Sequence, residues 1–439
     1  MKDIILTILG VSLYIPFFIQ LAQTRWTRTS WARQLLQLAI LLEMTAILHL
    51  PSVMYCCAGV LLAVVLLYWI VERPAFRWNL FFTVALLYFV YYAVAVLWSA
   101  CPLRGAQFLV DNGLPILSFG LAASIIRLSA DEWHRVLRSF CYAALIFVGL
   151  ALLSWGISLI ELHLSPLNWP ILSKQMVGEV ETYRWLLRFN GGLMGYAHPS
   201  YDLLPVFAAT CVGMGLAKKQ ALHPSIAWIL WGGSLVLTLL MQSRMGLTYS
   251  AILLVFGILY FLPTLRARLI TGVLIALVGA GSLWATQETW KAYSADPIRD
   301  QLYAYTWRYV EAKPWTGAGT GALNPIEMCH TINEIYWPFV GYIAPERDVC
   351  DWPWKTHMLP HNQWIADWSH AGIVAALITL LLYLCMIAQC AKKKIGWGLA
   401  FMLIFIIFSC LEPPLYIGKG LYLFGLLGTF FHAYPKGEQ

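Results

Sequence analysis

Five side chains are suited by type and setting to acid–base work or to holding an anion. His361 and Asn362 follow Pro360 in the stretch PHNQWIADWSHAG, which ends at Gly372. Arg244 sits in QSRMG, and Arg188 and His198 flank the glycine-rich stretch RFNGGLMGYAHPS. A guanidinium is a planar, permanently charged fork that fits phosphate oxygens. An imidazole that stays neutral near physiological pH can serve as a general base. Pro360 at the first helical position places His361 in the opening turn of a helix, where the positive end of the dipole disfavours imidazolium. Glycines after Arg188 let the backbone approach a ligand closely. Each residue also has a plainer reading: His361 as a satisfied structural histidine, Arg244 as a snorkelling side chain or the partner of a carboxylate such as Glu412.

The elements that must position these groups follow from composition. The chain has 439 residues, 60% hydrophobic and only 12% charged, which excludes a water-soluble globule and a disordered chain. Its apolar runs are long and unbroken, unlike the short alternating strands of an outer-membrane barrel. The fold expected is an all-α polytopic membrane protein with a large, partly helical outer loop and 12 or 13 transmembrane helices. Candidate spans fall near residues 4–22, 35–50, 53–71, 79–99, 114–126, 139–160, 201–217, 225–242, 246–263, 269–286, 367–390, 396–411 and 415–431. The net charge of +7 follows topology, because short basic connections, from Arg25/Arg28/Arg33 to Lys392/Lys393/Lys394, fall on alternate connections and so all on one side of the membrane. This threading puts the C-terminus inside and the N-terminus outside, and it leaves Arg188, Arg244 and His361 on one outer face. The first span lacks a small-residue cleavage signal and is expected to be retained.

Three parts result: an N-terminal bundle over 1–286 with a shorter outer loop at 161–200, a large outer loop or lid over 287–366, and C-terminal spans over 367–439. Loops of such length are usually functional, and the larger is rich in Trp and Tyr, whose flat faces suit sugar rings or the headgroup level of a bilayer. Within it, Ser294 to Pro297 marks a helix start and Tyr305 to Glu311 can continue the helix. The Gly317–Gly321 motif lacks the Lys-Ser/Thr of a phosphate loop and is expected to be a turn. Cys329 and Cys350 share this loop and could pair in an oxidising compartment. No spacing suits a metal: His357 and His361 lack an acidic residue between them, and Pro360 breaks the helical register. Glu43, Asp111, Asp202 and Glu412 lie in or beside spans, where a structural partnership is the default.

One base and two phosphate clamps on one membrane face describe a transferase that uses a lipid-linked pyrophosphate donor, since fixed cations stabilise a leaving pyrophosphate. No cofactor, metal or nucleic acid is implied. The stretches SRMG, RFNGGLMGYAHPS, KPWTGAGTGALNP and HNQWIADWSHAGI, in that spatial setting, resemble the O-antigen ligase and O-antigen polymerase superfamily over roughly residues 180–390. The resemblance implies a GT-C-like fold whose large loop is periplasmic, and periplasmic-face transfer of a glycan from undecaprenyl pyrophosphate to a sugar hydroxyl of lipid A core, in the bacterial inner membrane. It carries the pyrophosphate-binding arginines to Arg188 and Arg244 and the catalytic histidine to His361; apart from the resemblance, His198 and Asn362 are expected to contact substrate. Two departures stand: Met245 precedes the glycine expected after Arg244, and Arg184 competes with Arg188. A polymerase with a second lipid-linked glycan as acceptor is the alternative, and a polysaccharide transporter the rival from another class.

Overall fold

In the computed structural model, residues 10–24, 26–27, 30–49, 51–99, 102–161, 199–240, 243–285, 297–321 and 361–435 are described. Among them the chain is all-helical, as expected where hydrocarbon forces every backbone polar group to find its partner within the segment. The N-terminal helices are α1 (Ile15–Gln23), α2 (Trp31–Ile47), α3 (Pro51–Glu72) and α4 (Leu80–Ala95). Next come α5 (Pro102–Phe108) and α6 (Leu114–Ile125), joined by a π turn at Leu109–Gly113, then α7 (Ala130–Glu161). They are followed by α8 (Pro199–Lys218), α9 (Pro224–Leu240), α10 (Arg244–Phe261), α11 (Leu265–Ala285) and α12 (Pro297–Ala312). The C-terminal part holds α13 (Gln363–Ala371), α14 (Ile373–Lys392), α15 (Gly396–Ser409) and α16 (Gly418–Ala433).

Among the described residues five stretches are long and apolar enough to cross a membrane, at Ser52–Glu72, Leu80–Trp98, Pro102–Ile125, Ala130–Gly156 and Ile373–Lys392, and there are shorter apolar helices as well. The protein is a polytopic membrane protein. Among the described residues the apolar runs read from the sequence fall on helical structure, the run at 367–390 on two helices, and two further runs begin well before the expected residue. The run at 114–126 begins earlier, at Pro102, because the π turn carries the helix past polar Asp111 and Asn112. The run at 139–160 also begins earlier, at Ala130, where a reciprocal cap starts the helix: Ser129 N–H donates to Glu132 Oε2 at 2.7 Å and Glu132 N–H to Ser129 Oγ at 3.3 Å.

The core runs through α8 and α16, whose side chains from Leu203 to Leu216 and from Lys419 to Phe431 are buried among the other helices. Helix α11 is peripheral, with Leu265, Leu269, Val273 and Leu277 exposed along it. The basic ends of α14 and the start of α15 lie at the end of the bundle opposite to the site.

Candidate active site

The apolar run expected to cross continuously from residue 367 to 390 is interrupted at Gly372, where φ is 81° and ψ is 179°. A Cβ there would run into the Trp315 carbonyl oxygen. The break folds α13 back along α14, so that the Trp364 ring meets Tyr383 at 5.4 Å. Tyr383 is well inside α14, about 16 Å from its Gly372 end at 1.5 Å per residue. Tyr383 also bonds Ser409 at the end of α15, Oη to Oγ, at 2.8 Å. His361, three residues before Trp364, is thus recessed toward the middle of α14.

This corrects the placement of His361 in a first helical turn. Asn362 is the N-cap, its Oδ1 accepting from Trp364 N–H at 2.9 Å and Ile365 N–H at 3.1 Å, so His361 lies one residue outside the helix. Asn362 Nδ2 donates to the Cys410 carbonyl at 2.9 Å. Both ends of the amide expected to touch substrate are therefore engaged by the fold.

Two further bonds tie α13 to the bend after α15. Gln363 Oε1 accepts from Leu415 N–H at 2.9 Å, and Asp367 Oδ1 accepts from Tyr416 at 2.8 Å. Asp367 is fully buried and also accepts from Tyr92 of α4 at 2.5 Å and from Gln363 at 3.0 Å. A buried carboxylate is tolerated when its lone pairs are filled in this way.

The bend so held carries Glu412, whose Oε2 lies 2.8 Å from His361 Nδ1. The Glu412 side chain is 2% exposed and that of His361 30%. A carboxylate can only accept, so Nδ1 carries the proton in the neutral ring and Nε2 keeps its lone pair for another proton. Sequence alone offered Glu412 to Arg244. The signal for a nearby cationic or proton-donating partner was legible, since a carboxylate inside an apolar run needs one; which partner was not.

The large loop contributes from the other side. The Tyr303 hydroxyl of α12 donates to the His361 carbonyl at 2.6 Å, and Trp307 packs edge-on against Trp368 at 5.5 Å. After α12 a strap runs across the top of α13. Ala318 N–H donates to the Ser369 carbonyl at 2.9 Å, Gly319 N–H to the His370 carbonyl at 2.8 Å, and Trp98 Nε1 to the Thr316 carbonyl at 2.9 Å. Gly317, Gly319 and Gly321 have φ of 64°, 97° and 78°. A Cβ on Gly317 would lie 2.6 Å from the His370 carbonyl oxygen, and one on Gly321 2.5 Å from Gly105 N. The glycine motif is thus a turn, as expected, and its glycines serve close backbone packing.

Helix α10 begins at Arg244, capped by Ser243 Oγ accepting from Gly246 N–H at 3.1 Å. It lies antiparallel to α15: Tyr249 meets Phe408 at 6.2 Å, and a Cβ on Gly396 would lie 2.9 Å from Tyr260. The Arg244 backbone is therefore at the same end of the bundle as Glu412, each a little over one turn beyond the Tyr249–Phe408 contact. Arg188 and His198, with Arg184, Cys329 and Cys350, lie outside the described residues.

Residues 227–380 match the family described as O-antigen ligase. No curated protein matches the chain. The match takes in α10, α12, the strap, His361 and α13, and stops before Glu412 and Tyr416. It points to a glycosyltransferase-like enzyme of the ligase or polymerase type. Over residues 227–380, a stretch that includes Arg244, the glycine strap and His361, the chain is similar to the O-antigen ligase family.

Proposed function

We propose that the protein is a metal-independent glycosyltransferase of the ligase type, acting at the periplasmic face of the bacterial inner membrane. It takes a glycan from undecaprenyl pyrophosphate and attaches it to a sugar hydroxyl of lipid A core. His361 is the general base. Its Nε2 receives the proton of the acceptor hydroxyl as that oxygen attacks the anomeric carbon. The bond from that carbon to the pyrophosphate oxygen breaks, and its electron pair leaves with the pyrophosphate, so the anomeric configuration inverts. Glu412 fixes the ring through Nδ1 and offsets the imidazolium charge that forms. Arg188 and Arg244 hold the pyrophosphate, whose negative charge grows as it departs. His198 lies beside Arg188 in the chain and is assigned to substrate as well; Asn362 serves by capping the helix that follows His361.

The observation that carries this reading is the 2.8 Å contact between His361 and a buried Glu412, with the histidine itself accessible. A merely structural histidine gains nothing from keeping one edge of its ring open. Purified protein supplied with lipid-linked donor and lipid A core tests it: product formed without energy input or added metal is expected, and its absence under competent conditions removes the enzyme in favour of transport. Loss of the gene separates the ligase from the polymerase. Full-length glycan left on the carrier lipid is expected, whereas single repeats capping the core would reassign the chain to polymerisation.

A further inference from the structure

The outward face of α12 is chemically unlike the lipid-facing surface elsewhere in the molecule. Peripheral α11 exposes Leu265, Leu269, Val273 and Leu277 along its length. On α12, Ala304, Trp307 and Glu311 are exposed at positions that share one helix face, Arg308 is exposed beside them, and Thr306 and Val310 are buried on the other side. Trp307 is 40% exposed and Trp315, in the strap, 73%. The backbone beneath Trp315 is fixed, since the Thr316 carbonyl is held by Trp98 and the Pro314 carbonyl by Trp368 at 2.8 Å. Two indoles thus stand open, Trp307 packed on Trp368 and Trp315 on an anchored backbone, with Arg308 and Glu311 between them in sequence.

Their order follows α13 step by step. Tyr303 is bonded to His361, Trp307 packs on Trp368, and the strap carrying Trp315 crosses at Gly372. The row therefore leads away from His361 along the length of α13, about 14 Å for nine residues.

We propose that this face of α12 and the strap is a saccharide-binding track that holds the acceptor glycan, a reading that rests on the transfer reaction above. Indole faces pack against the C–H faces of sugar rings. Glu311 accepts from sugar hydroxyls and Arg308 donates to them. The acceptor is assigned because the track starts at His361, the group that takes the acceptor's proton. A bilayer is the poorer occupant, since a carboxylate on the same face as Trp307 is costly in hydrocarbon.

The test uses the full-length protein in nanodiscs, titrated calorimetrically with deacylated lipopolysaccharide from the host strain. Trp307→Ala and Trp315→Ala are each expected to weaken binding and raise KM for the intact acceptor by about tenfold, leaving kcat and donor KM unchanged. Trp315→Phe, which keeps a flat ring, is expected to restore most of the loss. Saccharide binding unchanged in the Trp307→Ala/Trp315→Ala double variant overturns the track, as does a rise in donor KM in place of acceptor KM. So does strong quenching by brominated acyl chains of the fluorescence lost in Trp315→Phe, which would assign the surface to lipid. The transfer reaction fails separately: wild-type protein that binds the saccharide through these indoles but never forms product keeps the track and loses the reaction.

Discussion

Asp367 accepts a 2.8 Å hydrogen bond from Tyr416, and that bond fastens the helix that begins beside His361 to the bend that carries Glu412. Together with the Asn362–Cys410 and Gln363–Leu415 bonds it sets the distance between His361 and Glu412. Tyr416→Phe removes one donor while Tyr92 and Gln363 still serve Asp367, so a loss of about 0.5–1.5 kcal/mol of stability is expected. The rate of glycan transfer should fall with membrane insertion intact. Turnover equal to wild type, at a lowered melting temperature, would confine the bond to stability.

His361→Ala leaves the cap at Asn362 and the helix after it undisturbed. Transfer should fall by about 10²–10⁴ with the protein still inserted and folded. In vitro turnover with purified donor and acceptor is the measurement, and a rate near wild type eliminates His361 as the base.

Glu412→Gln keeps the shape of the side chain and removes its charge. The amide oxygen can still accept from His361 Nδ1, but a charged acceptor is worth about 1–1.5 kcal/mol more than a neutral one, so kcat should fall about tenfold with donor and acceptor KM little changed. A fall in donor affinity with kcat intact would move Glu412 into the donor site.

Arg244→Lys retains a cation and loses the planar fork. Strongly reduced transfer with weaker donor binding is expected if this residue clamps pyrophosphate. Donor affinity equal to wild type counts against the clamp.

Gly372→Ala places a β-carbon at φ 81°, against the Trp315 carbonyl. The strain alone is about 1–3 kcal/mol, and the strap must also move. A lowered melting temperature in detergent and reduced transfer are expected together, because the same residue turns α13 and seats the strap. A variant as stable as wild type would mean that the hairpin does not depend on this glycine.

Much of this molecule is written in local chemistry. Apolar runs of membrane length form helices whatever surrounds them, because lipid offers the backbone no other partner, and α3, α4 and α14 followed directly from that. The helix start near Pro297 and the turn at Gly317–Gly321 were readable for the same reason: proline and glycine act through their own backbone chemistry. The reversal at Gly372 was not readable, since a glycine within an apolar stretch is compatible with a continuous span, and only its packing against the Trp315 carbonyl forces the break. That one reversal recesses His361, whose ring meets Glu412. Glu412 announced itself as a carboxylate needing company, but a sequence does not say which of several candidate groups will come within 2.8 Å of it. Pairing across 51 residues of chain is decided by how α13 and the bend after α15 are fastened together, a property of tertiary contacts that no local pattern encodes.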